Sequence, residues 1–108
     1  MHEDYMKIDA EEASERLKID QSIVKMLIKK FLDSDLLEKA EKAFEEANIE
    51  EARLAVHSIK GSAANVGVTG LSKLALEMET KIKENEYLDF EALNIMKKVW
   101  NDLKEESL

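Results

Sequence analysis

Between positions 52 and 66 apolar residues return at steps of four, three, four and three: Ala52, Val56, Ile59, Ala63 and Val66. Wound at 3.6 residues per turn, these positions form one stripe, the mark of an amphipathic helix with a single buried side. On the same wheel Arg53, His57, Lys60, Gly61 and Ala64 gather on another face, roughly 140° from the stripe. The histidine of this helix is therefore expected to face solvent.

The same periodicity recurs along the chain. Ile23, Val24, Leu27, Ile28, Phe31 and Leu32, continuing through Leu36, Leu37, Ala40, Ala43, Phe44 and Ala47, predict a long helix opened by Asp20. Asp33-Ser34-Asp35 interrupts it, and one long, bent helix is the favoured expectation, with a recapped second half as the alternative. Asn48 and Glu51 have capping-box spacing and open the histidine helix. Gly67 is a natural left-handed residue to end it. Thr69 is expected to cap a helix with Leu71, Leu74, Ala75, Met78 and Ile82 inward, fraying near Asn85. A last helix begins around Asp89 and turns Leu93, Met96, Val99, Trp100 and Leu103 to the core, with Trp100 as a core plug rather than a ligand platform. Before these, Asp9 and Glu12 mark a short helix carrying Ala10, Ala13 and Leu17, expected to lie across the others as a lid. Residues 1–8, including His2, read as an N-terminal tail, leaving 9–106 as one domain.

Helices with one apolar stripe each, joined by short turns, predict an all-α fold: an antiparallel up-down-up-down four-helix bundle with a short extra N-terminal helix. Composition agrees, since 108 residues contain no Pro and only three Gly, and that length suits one small domain. Absence of Cys removes disulfides and thiolate metal sites. No apolar run approaches a membrane span, and the start lacks a signal-peptide pattern, so a cytoplasmic location without membrane contact is expected. A formal charge of −8, with lysines interleaved among glutamates, argues against nucleic acid as a partner.

The chemistry concentrates around His57. Gly61 stands mid-helix, where glycine costs roughly 0.5–1 kcal/mol relative to alanine, and its place one turn beyond His57 clears an approach to the ring. Lys60, on the same face, can set an ammonium beside an anion carried by the ring. Ser62 falls toward the core side and is expected to bond back to a preceding carbonyl. A free imidazole is mostly neutral at neutral pH and keeps a nucleophilic lone pair. An enzyme's constellation is missing: His57 has no second internal histidine for a metal site, Leu54 occupies the place a Glu-x-x-His pair would need, and no phosphate-cradling glycine loop exists.

His57-Ser58-Ile59-Lys60-Gly61-Ser62-Ala63, then Gly67, then Leu71, Leu74, Ala75, Met78 and Glu79, resembles the histidine-containing phosphotransfer (HPt) domain of phosphorelays. That family's pattern is His-x-Leu-Lys-Gly-Ser-Ala, a Gly ten residues after the His, and Leu-x-x-Leu-(Cys/Ala)-x-x-Leu-Glu. Ile59, Val56 and Met78 depart from its usual residues, whereas the histidine, lysine and glycines match. The resemblance implies a phosphoryl carrier that is not itself a kinase, with His57 as phosphoacceptor and Lys60 offsetting phosphoryl charge. It also implies that Arg53, Gly61 and Ala64 lie on the docking face. Expected partners are response-regulator receiver domains and a sensor or hybrid histidine kinase. No cofactor of its own is implied, Mg2+ belonging to the partner receiver, and the carrier is expected to be a monomer. Met1 and a complete set of helices point toward a separate protein. The alternative is a helical adaptor that docks receiver domains without carrying phosphate.

Overall fold

The computed structural model describes residues 2–106, the side chain of His2 excepted. Among the described residues are six α-helices, one short 3-10 helix over His2–Met6 and no strand. The α-helices are α1 (Ala10–Leu17), α2 (Gln21–Leu32), α3 (Leu36–Glu45), α4 (Ile49–Asn65), α5 (Thr69–Asn85) and α6 (Phe90–Glu106). The fold is all-helical, and its largest packing interface joins α4 to α5, with α3 on the other flank of α4.

Capping residues act where the spacing places them. The carboxylate of Asp9 accepts from the Glu12 amide at 3.0 Å, and the Asn48 side chain accepts from the Glu51 amide at 3.1 Å. Asp89 accepts from the Ala92 amide at 3.0 Å and opens α6. Each bond satisfies one amide that the first helical turn leaves unpaired. Thr69 is an exception to expectation. It is the first residue of α5 rather than its cap, and its hydroxyl donates to the Lys7 carbonyl at 3.4 Å.

The interior follows the stripes. Ala52, Val56, Ile59 and Ala63 of α4 are completely buried, against Leu71, Leu74, Ala75, Met78 and Ile82 of α5 and Met96 and Val99 of α6 within one core. Trp100 is buried too, tilted against Phe31 at 4.8 Å between ring centroids, and its indole N–H donates to the Leu32 carbonyl at 2.8 Å. A buried indole with its polar end satisfied is the core plug expected.

The stretch from 20 to 47 is two helices, not one. The Ser34 hydroxyl donates to the Phe31 carbonyl at 2.6 Å, and its amide donates to the same oxygen at 3.1 Å. Short polar side chains that capture a neighbouring carbonyl offer the backbone an alternative to the helical ladder, so the Asp33-Ser34-Asp35 triplet ends α2 and restarts the chain as α3. Asp35 stands at the head of α3 without a side-chain capping bond.

Residues 1–8 likewise depart from a free tail. Met1 and the His2 side chain lie outside the described residues, but the 3-10 helix packs on α5 and α6. The Gly70 amide donates to the Lys7 carbonyl at 3.0 Å, the Asp9 amide donates to the Gly67 carbonyl at 2.7 Å, and the Tyr5 hydroxyl donates to Glu77 at 2.9 Å. Two glycines admit this strap. A Cβ on Gly70 would fall 2.3 Å from the Tyr5 backbone, and one on Gly67 would fall 2.5 Å from the Asp9 carbonyl oxygen. Gly67 also holds φ at +82°, which ends α4 as expected.

Candidate functional site

His57 sits half-way along α4, away from the buried stripe, with its side chain 57% exposed. Gly61 lies one turn on, and a Cβ placed there would meet nothing within 4 Å. Ala64 is exposed one turn further. Arg53, one turn before His57, is tied to Glu50 at 2.7 Å. These positions share the face that the wheel gives them. Ser62 is exposed and makes no bond back to a carbonyl, contrary to expectation.

Lys60 is where the structure adds most. Its ammonium does not stand free in solvent beside the ring; it donates to Oε1 of Glu79 at 2.7 Å. The other oxygen of that carboxylate lies 2.8 Å from Nδ1 of His57. Glu79, 3% exposed, is the one buried charged side chain among the described residues. Sequence reasoning assigned it no role. A signal existed, because Glu79 falls roughly 60° from Ile82 on the α5 wheel and so borders the apolar stripe. A carboxylate at that edge must find partners across a helix interface.

Burial pushes the Glu79 carboxyl up, but the hydrogen bonds and charges of Lys60 and His57 outweigh it and hold the group below the usual glutamate range. Ionised, it can only accept. Nδ1 of His57 must therefore carry the proton, and in the neutral ring the lone pair resides on Nε2. A ring nitrogen's partner fixes the tautomer in this way. A further bond stiffens the same place: the Ser72 hydroxyl of α5 donates to the Lys60 carbonyl at 3.0 Å. Lys60 is thus held at both its backbone and its ammonium by α5.

An exposed imidazole with its inner nitrogen protonated and anchored, its outer nitrogen unprotonated, and an ammonium beside it is a nucleophile for an electrophilic centre that arrives with negative charge. No cluster of His, Cys, Asp or Glu among the described residues could hold a metal. The family model for the Hpt domain matches residues 27–106. The chain belongs to the Hpt domain family. Comparison with curated proteins and with solved structures gives no match. The match spans the second half of α2 and all of α3 to α6, while the 3-10 helix and α1 precede it. Hpt domains take part in two-component phosphorelay phosphotransfer as carriers rather than kinases, and the family generally interacts with receiver domains and histidine kinases. No helix among the described residues is long and apolar enough to cross a membrane.

Proposed function

We propose that this Hpt domain is a phosphorelay intermediate that accepts a phosphoryl group on Nε2 of His57 from a receiver aspartate or a kinase and passes it to another receiver aspartate. The observation that carries the reading is the bond between Nδ1 of an exposed His57 and a buried carboxylate. In this reading α2 with α3, α4, α5 and α6 are the four antiparallel members of a bundle, and the chain acts as a cytoplasmic monomer.

The Nε2 lone pair attacks phosphorus in line, the bond from phosphorus to the aspartyl oxygen breaks, and the aspartate departs as a carboxylate. Nδ1 keeps its proton throughout. The product ring is an N-phosphorylated imidazolium, and Glu79, already ionised, faces its positive charge. No general base is needed, because no proton moves in the forward or the reverse step. Phosphoryl transfer depends on alignment and charge compensation more than on covalent assistance. Any Mg2+ that the step uses belongs to the partner's acidic site. Lys60 supplies the adjacent cation: phosphorylation brings close to two negative charges within reach of an ammonium held by Glu79.

Incubation with a phosphorylated receiver domain is expected to place acid-labile, alkali-stable phosphate on His57. His57→Gln is expected to abolish it while the fold persists, with the melting temperature lowered only as far as the lost bond to Glu79 requires, because the ring is otherwise mostly exposed. Receiver binding without any such phosphate would favour the adaptor instead.

A further inference from the structure

The chain holds fourteen lysines and two arginines, Arg16 and Arg53. One stands on the His57 face of α4 and the other at the C-terminal end of that helix. Arg53 projects from α4 itself, about 6 Å along the axis before His57 at 1.5 Å per residue. Arg16 comes from α1, and its guanidinium donates to the carbonyls of Ala64 and Asn65 at 3.1 and 3.2 Å. Ala64 lies two turns past His57 on the same line, about 10 Å along the axis. Along the axis of α4 the two anchor points therefore lie on opposite sides of His57.

Each arginine is held in place by one carboxylate and keeps donors for something else. Arg16 pairs with Glu12 at 3.1 Å and Arg53 with Glu50 at 2.7 Å, while their side chains remain 40% and 32% exposed. Arg16 spends Nε on Glu12 and Nη2 on the two carbonyls, and Arg53 spends Nε and Nη2 on Glu50, so of the five N–H donors of each guanidinium those on Nη1 stay unused. The local charge differs from that of the whole molecule. The pairs Arg16–Glu12 and Arg53–Glu50 are neutral, and Lys60 balances Glu79. The face around His57 is thus close to neutral on a chain of net charge −8. Arg16 also covers the carbonyl end of α4, which would otherwise present the negative pole of the helix dipole beside that face.

We propose that Arg16 and Arg53 are a two-point docking clamp, one guanidinium on each side of His57, that engages carboxylates on the partner protein flanking its phosphorylated aspartate. The inference rests on the carrier reading above. A partner that holds an aspartyl phosphate and a divalent cation needs further carboxylates at that centre. Such a surface is repelled by the rest of this acidic chain. The near-neutral face around His57 escapes that repulsion, and the unused guanidinium donors on it can bond such carboxylates. A span of about 16 Å between the two anchors fits well within a protein interface of standard size. Arg16 belongs to α1, outside the stretch matched by the family model, so this half of the clamp is a property of this chain.

The test uses the full chain and a phosphorylated receiver domain under second-order conditions. Arg16→Gln and Arg53→Gln are each expected to slow transfer roughly twofold to fivefold at low salt, as loss of one partly exposed charge contact implies. The double variant is expected to lose about tenfold and to show a flatter dependence on ionic strength than the native chain. Arg16→Lys should restore most of the rate, because it keeps the charge while giving up the forked bond to Ala64 and Asn65. Equal rates and equal salt dependence in native and double-variant proteins would overturn the clamp. So would an Arg16→Lys variant as slow as Arg16→Gln, which would leave Arg16 as a cap for α4 alone. Phosphoramidate, a small phosphoryl donor that needs no docking, separates this failure from that of the carrier reading. If the native chain gains no phosphate on His57 from phosphoramidate or from the receiver, it is the carrier reading that falls, and the clamp with it.

Discussion

Glu79→Gln changes one atom of the side chain and removes the carboxylate that serves Lys60 and His57 at once. The carboxylate takes a bond from Lys60 at 2.7 Å and one from Nδ1 of His57 at 2.8 Å. An amide has a single oxygen, so one donor must face an NH2 group. If the oxygen stays with Lys60, His57 can be satisfied only by moving its proton to Nε2, which takes the lone pair off the outward nitrogen. If it stays with His57, Lys60 loses its anchor and turns to solvent. Charge-assisted bonds contribute about 1.5–3 kcal/mol each when buried, but Lys60 and His57 are both partly exposed, so the lower end applies. The variant should lose about 1–2 kcal/mol in total, which at 4–8 °C per kcal/mol for a domain near this size lowers Tm by roughly 4–16 °C. Transfer should slow by about threefold to tenfold, equivalent to roughly 0.7–1.4 kcal/mol in the barrier. Nitrogen chemical shifts of the His57 ring, thermal unfolding and single-turnover transfer from a phosphorylated receiver would be measured on the same samples. A variant with unchanged ring shifts and native transfer rate would refute the claim that Glu79 sets the tautomer.

The same carboxylate makes stability depend on acid. Because its folded value lies below the ordinary one, its contribution is fully present above the unfolded value of about 4.3 and is lost as pH falls through the folded value. Denaturant titrations below pH 5 should show a larger loss in the native chain than in Glu79→Gln, in which Asp89 with its bond to Lys81 still titrates. Gly61→Gln should raise Tm slightly, since a Cβ there meets nothing within 4 Å and glycine is the poorer helix former. It should also lower receiver transfer severely, and unfolding of the variant would show that the glycine serves packing instead. Gly70→Ala drives a Cβ to 2.3 Å from the Tyr5 backbone, so it should displace the strap and cost about 1–3 kcal/mol. Thermal unfolding and amide exchange at residues 5–9 would register it.

The helices were legible because each carries its own signal. Ala52, Val56, Ile59 and Ala63 announce their burial by spacing alone, and Asp9, Asn48 and Asp89 announce caps through side chains that act within three residues. His57 and Gly61 were legible for the opposite reason, as residues off the stripe with no packing purpose. What escaped lies between elements. Glu79 acts twenty-two residues from His57, and no local period records a carboxylate that crosses from α5 to α4. The strap escaped likewise. It depends on space left by Gly67 and Gly70, and an absent side chain says little until the segment filling its place is seen. At Asp33-Ser34-Asp35 the composition allowed either outcome. The balance was tipped by one hydroxyl reaching back to the Phe31 carbonyl, a contact of the folded chain rather than of the pattern.

Trp100 gives the molecule an optical probe of its own. It is the only tryptophan in the sequence, shielded from water and donating to the carbonyl of Leu32, the last residue of α2. Its emission therefore reports whether α6 still clasps α2 beside the break at 33–35, without any label. Events at the His57 ring take place across the α4–α5 interface, where the indole has no bonding partner. Fluorescence should thus follow unfolding and stay silent through phosphorylation, so that one cuvette can separate a variant that has lost its shape from one that has lost only its chemistry.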